Sequence, residues 1–135
     1  MTCPFCEPKQ RVLKENEHAY VMLSNPRKVE GHFLVIPKRH IENPVDITNK
    51  EVVDVFELIK FVQGKIIGVL GEGCTVKQNF FPFVPDSKVK VAHMHYHILP
   101  RMFKDQLFHF GDDQEKTLFE DLSPEEHDRV AKLLK

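Results

Sequence analysis

The sequence predicts one domain in which several strands and one long helix share a core, and three observations carry that prediction. Runs rich in branched and aromatic residues at 19–23, 31–37 and 74–81 are bounded by proline, asparagine or glycine, as strands are. From His93 to Ile98, histidine alternates with Met94, Tyr96 and Ile98, the period of two that sends alternate side chains to opposite faces of a sheet. Between these segments Val52, Val55, Phe56, Ile59, Val62, Ile66 and Leu70 recur at spacings of three and four, the stripe of an amphipathic helix.

A chain of 135 residues with 41% hydrophobic content buries a sizeable core without disulfide staples and leaves no room for a second domain, so 1–135 is expected to be a single domain. The net charge of -1 gives no global attraction to a nucleic-acid polymer or a membrane. No apolar run approaches the ~20 residues of a membrane span, and Met1-Thr2-Cys3-Pro4 lacks the basic start of a secretory signal. A cytoplasmic protein is expected. Cys3, Cys6 and Cys74 form an odd set, which suits a reducing compartment and argues against a disulfide framework.

Taken in order, Cys3-Pro4-Phe5-Cys6 is a C-x-x-C, the spacing that lets two thiolates converge on a metal or act as a redox pair. A redox site would want a strand before it. A zinc half-site wants two further ligands, which histidine can supply, and two free surface thiols are the remaining alternative. The strand at 19–23 is followed by the polar turn Ser24-Asn25-Pro26-Arg27-Lys28, and the strand at 31–37 is apolar enough to be central. His40 lies just past that strand beside Lys38 and Arg39, free to face a metal or phosphate or simply solvent. Thr48 and Glu51 form a capping box that opens the helix, and Gly71 and Gly73 close it. Cys74 opens the next strand with no role beyond packing. Residues 82–87 form a loop with an apolar tip. With extension from Lys88, Val89 and Val91 share the face of His93, while Lys88 and Lys90 point away. Past Arg101, Phe103, Leu107, Phe108 and Phe110 are scattered through a charged tail that is expected to pack on another surface, a second subunit among them. Ser123 and Pro124 open a short helix carrying Val130, Leu133 and Leu134.

The chemistry concentrates in His93, His95 and His97. On one strand face their rings would stand roughly 6.5 to 7 Å apart. Such a row supports either a three-histidine catalytic metal site with an open water position or a neutral imidazole nucleophile flanked by orienting and charge-binding neighbours.

Several motifs together resemble the histidine triad (HIT) superfamily: His93-Met94-His95-Tyr96-His97-Ile98-Leu99, Gly31-His32-Phe33-Leu34-Val35-Ile36-Pro37-Lys38-Arg39-His40, the capped helix after Asp46, and Cys3-Pro4-Phe5-Cys6. The resemblance spans about 3–101, leaving 102–135 as a tail. It implies an α+β fold with about five mainly antiparallel strands, usually a homodimer through the long helix and an edge strand. It implies a nucleotidyl hydrolase or transferase that cleaves dinucleoside polyphosphates or nucleoside phosphoramidates at the α-phosphate through a nucleotidyl-histidine. By match to the motif His95 is the nucleophile and His97 contacts the α-phosphate oxygens, with His32 hydrogen-bonding within the triad. In relatives carrying C-x-x-C the implied ligands of a structural zinc are Cys3, Cys6, His40 and His93, which would exclude the three-histidine catalytic metal.

The sequence departs from the family at Val89, where a hydrogen-bonding residue is common, and at the Phe80-Phe81-Pro82-Phe83 approach to the motif. It departs again at Ser24 and Asn25, which stand where an acidic residue often grips the ribose. Asn79 and Ser87 are the candidate replacement phosphate donors. The alternative function is a nucleotide-binding or scaffolding protein of the same fold with little or no hydrolysis.

Overall fold

The computed structural model describes residues 3–87, 89–109 and 119–135. Its centre is an antiparallel five-stranded sheet in the order β1-β2-β3-β5-β4, built from β1 (Lys14–Glu15), β2 (Ala19–Leu23), β3 (Phe33–Pro37), β4 (Gly73–Lys77) and β5 (Tyr96–Arg101). The long helix α1 (Asn49–Ile66) and the C-terminal α2 (Pro124–Ala131) complete the α+β fold that the motifs imply. No helix among the described residues is long and apolar enough to cross a membrane.

The pleat sorts the side chains into two layers. Ala19, Val21, Leu23, Phe33, Val35 and Ile98 face α1, meeting Val55, Leu58, Ile59, Val62 and Ile66, with Val130 and Leu134 closing the edge of this core. Tyr20, Met22, Leu34 and Ile36 face the other way and are covered by Phe5. Because Leu34 pairs with His97 and Phe33 with Ile98 in the β3–β5 register, His97 emerges on the face that α1 leaves open.

Three boundaries and one face of the helix differ from the sequence expectation. The α1 stripe predicts a helix to Leu70, yet α1 stops at Ile66, because Gly68 takes a left-handed turn at φ 83° and donates to the Gly71 carbonyl. Leu70 still packs on the core, but from that turn, so it continues the pattern without continuing the helix. Phe56, expected in the buried stripe, is 50% exposed, and Leu58 is buried instead. The strand predicted from residue 74 ends at Lys77. The histidine strand begins only at Tyr96, leaving His93 and His95 in the irregular approach to it. Pro100 sits inside β5 without harm, since beyond Ile98 that strand pairs only with β4. The expectations at Lys88 and Phe110 lie outside the described residues.

Candidate functional site

Cys3, Cys6, His40 and His93 converge so that one ligand atom of each lies within 4.8 Å of every other. Two come from the N-terminal turn, His40 from the segment just past β3, and His93 from the approach to β5. His40 Nδ1 is 3.2 Å from His93 Nδ1. The thiol sulfurs stand 3.2 Å (Cys6 to His40), 3.4 Å (Cys3 to His93) and 3.5 Å (Cys6 to His93) from ring nitrogens. Bonds of about 2.0 Å to nitrogen and 2.3 Å to sulfur at tetrahedral angles give edges of roughly 3.3 and 3.6 Å, so the spacing fits a tetrahedral dication. Ring orientation agrees with that. His93 Nε2–H donates to the Pro37 carbonyl at 2.8 Å, and His40 Nε2–H to Glu42 at 3.0 Å, which leaves both Nδ1 lone pairs turned inward. Two sulfurs and two nitrogens in that geometry are compatible with a structural zinc. His95 and His97 lie outside this group.

The other imidazoles form a hydrogen-bonded relay whose direction is set by backbone. The Lys28 N–H donates to His32 Nδ1 at 3.0 Å, so the ring proton of His32 resides on Nε2. That Nε2 is 2.8 Å from His97 Nδ1, which must therefore accept, leaving His97 with an Nε2–H. His95 Nδ1–H donates to the His93 carbonyl at 2.7 Å, so its Nε2 keeps a lone pair. The rings of His95 and His97 are 4.8 Å apart, closer than a flat strand allows, because His95 is not yet in the ladder. Burial pushes both below the ordinary range, and drives His32 down to about 3. Each is neutral at pH 7. Gly31 makes the turn possible: its φ is 82°, and a Cβ there would lie 2.5 Å from Leu70.

His95 and His97 open onto a cavity of about 190 Å³ walled by Phe5, Met22, Leu34, Val89, Val91 and Phe119. Ser24, Asn25 and Ser87 also line it. The Ser24 hydroxyl already donates to the Pro26 carbonyl at 2.7 Å, and the Asn25 side-chain oxygen accepts from the Leu122 N–H at 3.1 Å, so each has only part of its hydrogen-bonding capacity free. Asn79 is not in this cavity; it borders a neighbouring cleft along residues 79–86 that shares His95. Sequence reasoning missed Arg11, Phe5, Glu42 and Phe119. Phe5 was legible as the apolar residue inside the C-x-x-C, whereas Arg11 ends the single 3-10 turn Lys9–Arg11 and Phe119 lies outside any helix or strand, and neither belongs to a periodic pattern.

A family model described as HIT domain matches residues 6–104. The chain is 31% identical over 121 residues to an uncharacterized HIT-like protein of Methanocaldococcus jannaschii, covering 82% of this chain and 88% of that one. It is 31% identical over 127 residues to the nitrilase and fragile histidine triad fusion protein of Caenorhabditis elegans, covering 90% of this chain but only 27% of that protein's length. Among solved structures, a hypothetical histidine triad nucleotide-binding protein from Sulfolobus tokodaii superposes with TM-score 0.76 at 22% identity, over 98% of this chain and 89% of that one. A zinc-bound histidine triad family protein from Mycobacterium smegmatis gives TM-score 0.72 at 22% identity, over 99% and 91%.

Proposed function

The chain belongs to the HIT domain family, and from that premise we propose that it is a nucleotidyl hydrolase or transferase acting at the α-phosphate of dinucleoside polyphosphates or nucleoside phosphoramidates. The observation that carries the reading is the His95 ring, which lines the cavity and whose Nδ1–H is tied to the His93 carbonyl, so that its Nε2 keeps an unprotonated lone pair. In the first step the Nε2 lone pair forms a bond to phosphorus while the bond to the leaving oxygen or nitrogen breaks and its electron pair departs with that group. Water then attacks the phosphoramidate, the N–P bond breaks, and the nucleoside monophosphate is released. His97 Nε2–H donates to the phosphoryl oxygens as negative charge builds on them. Zinc held by Cys3, Cys6, His40 and His93 would be structural, with no coordination position left for water.

Incubation with diadenosine tetraphosphate and an adenosine phosphoramidate, followed by chromatography, tests the proposal. Wild-type turnover far above His95→Ala, together with an adenylylated peptide spanning His95, is the expected result. No turnover of either compound above that control would reject it. The second reading, nucleotide binding without turnover, is favoured by Val89, which lines the cavity with a side chain that offers no hydrogen bond and whose N–H is already given to the Ser87 hydroxyl. It predicts binding with no trapped adduct.

We further propose a cytoplasmic homodimer. The support for the dimer is Val53 and Phe56 of α1, 55% and 50% exposed, together with β4 at one edge of the sheet. Sedimentation at micromolar concentration should give twice the chain mass.

A further inference from the structure

Cys3 and Cys6 are reactive groups that the phosphoryl chemistry leaves unused, and an oxidant can reach them, since Cys6 is exposed and Cys3 partly so. The Cys6 N–H donates to the Cys3 carbonyl at 3.2 Å, closing a four-residue turn. Such a turn holds its end Cα atoms less than about 7 Å apart, and a disulfide accepts roughly 4.4–6.8 Å, so the pair can be bridged with little backbone movement. The Cys6 thiol already hydrogen-bonds to Cys3. Cys74, the third cysteine of the chain, lies outside the cluster, its sulfur accepting from Gln63 Nε2 at 3.3 Å. The intramolecular disulfide that this arrangement favours therefore joins Cys3 to Cys6.

That disulfide and a metal ion exclude one another. The thiolate is the ligand form of cysteine, and with both sulfurs oxidised only His40 and His93 remain of the four donors, too few for a closed tetrahedral site. Phe5 lies between the two cysteines in the chain and edge-on to the His95 ring at 4.9 Å, so a change at the sulfurs reaches the cavity. The Tyr20 hydroxyl donates to the Phe5 carbonyl, and that second fastening survives oxidation, which makes the effect on the cavity partial.

Resting on the reading that these four residues hold a structural zinc, we propose that Cys3 and Cys6 are a site of reversible oxidation by peroxide, whose disulfide expels the ion and loosens the wall that Phe5 makes beside His95. Cys6, the more exposed of the two and deprotonated as a ligand, attacks a peroxide oxygen; the O–O bond breaks, the outer oxygen takes a proton and leaves as water, and the sulfur becomes a sulfenic acid. The Cys3 thiolate then attacks that sulfur. The S–S bond forms, the S–O bond breaks, and the hydroxide takes a proton and leaves as a second water. Two electrons pass from the sulfurs to one peroxide, and a dithiol returns them by two successive exchanges.

Hydrogen peroxide added to the full, zinc-loaded chain tests the proposal. Released zinc is read with a chromogenic chelator, and the tryptic peptide 1–9, which carries both cysteines, is read by mass. Zinc should leave as that peptide becomes lighter by two hydrogens, and brief trypsin treatment should cut faster after Lys9 and Arg11. Dithiothreitol with added zinc should reverse each change. Affinity for adenosine 5′-monophosphate, measured by calorimetry, should fall about two- to tenfold on oxidation, the worth of one aromatic contact. Cys74→Ser should respond as wild type does, whereas Cys6→Ser should give no lightened peptide. Zinc retained after the disulfide has formed, or sulfinic acid in its place, would overturn the proposal, as would equal monophosphate affinity in the two forms. A reduced chain that takes up no zinc would defeat the metal reading and the competition with it. A reduced, zinc-loaded chain that binds no monophosphate would defeat the nucleotide reading alone; the trypsin rates then decide, and equal rates before and after oxidation would overturn the loosening of Phe5.

Discussion

The proton on His97 is governed by a backbone amide two rings away. Because the Lys28 N–H must donate, His32 keeps its proton on Nε2 and donates it in a hydrogen bond to His97 Nδ1, and His97, whose ring lines the cavity, carries its own proton on Nε2. His32→Phe keeps an aromatic ring but removes both ends of this link, leaving the Lys28 N–H and the His97 Nδ1 without it. A buried group left unsatisfied costs about 1–3 kcal/mol, and freeing the neighbouring ring to change tautomer is expected to lower phosphoramidate turnover about 10- to 100-fold. Urea unfolding and kcat measured on the same preparation check the two effects; unchanged kcat would show that the relay does not set the His97 proton. The sequence displayed the imidazoles and their parity but not which nitrogen of each carries the proton. That choice depends on the carbonyls of His93 and Pro37 and the amide of Lys28, groups every residue carries and no side-chain pattern reveals. Convergence of His40 with the cysteines was likewise open from the residues alone, because 34 positions separate His40 from Cys6.

At the scale of an element, α1 shows which parts of a helix a sequence announces. Its start was legible to the residue: the Thr48 hydroxyl accepts from the Glu51 N–H at 3.2 Å, and Glu51 accepts from the Thr48 N–H at 2.9 Å. Its end was not, since the apolar period ran on through a glycine turn. Thr48→Ala should cost about 1 kcal/mol by chemical denaturation, the usual worth of an N-cap. Glu51 adds a pH dependence. Its buried carboxylate also takes two hydrogen bonds from Arg39, at 2.8 and 3.1 Å, and that pairing, aided by Thr48, lowers it from the ordinary 4.5 to about 2. A carboxylate held lower in the folded than in the unfolded chain stabilises the fold fully above about 4.5 and loses that contribution as pH falls towards 2. Asp105, held at about 2 chiefly by its hydrogen bonds from Arg101, behaves in the same way. The acid limb of wild-type stability should therefore fall steeply between pH 4.5 and 2, and in Glu51→Gln it should start lower and fall less. Equal slopes in the two proteins would contradict the assignment.

Across the whole molecule, both chain ends are fastened onto the walls of one cavity. At the C-terminal side Arg27 and Glu120 exchange backbone hydrogen bonds of 2.9 and 3.0 Å, and the Arg27 guanidinium grips Glu126 on α2 through two contacts of 2.9 Å. This docks Phe119 at the cavity and braces the loop that supplies the Lys28 amide. At the N-terminal side the fastening is the Cys3, Cys6, His40 and His93 cluster, and what it holds down is Phe5, 7% exposed and edge-on to the His95 ring at 4.9 Å. On the proposal that this cluster holds a structural zinc, loss of the ion should be felt twice. An ion present at about 100 times its Kd adds roughly 2.7 kcal/mol to folding, which for a chain of this length is about 10 °C in Tm. Releasing Phe5 also removes a wall beside His95, so chelation should weaken nucleotide binding even at temperatures where the fold persists. Thermal melts and calorimetric titration before and after zinc removal, with Cys3→Ser and Cys6→Ser beside the chelated wild type, separate the two losses. If Tm falls and nucleotide affinity does not, the cluster stabilises the fold without shaping the cavity, and the coupling through Phe5 is wrong.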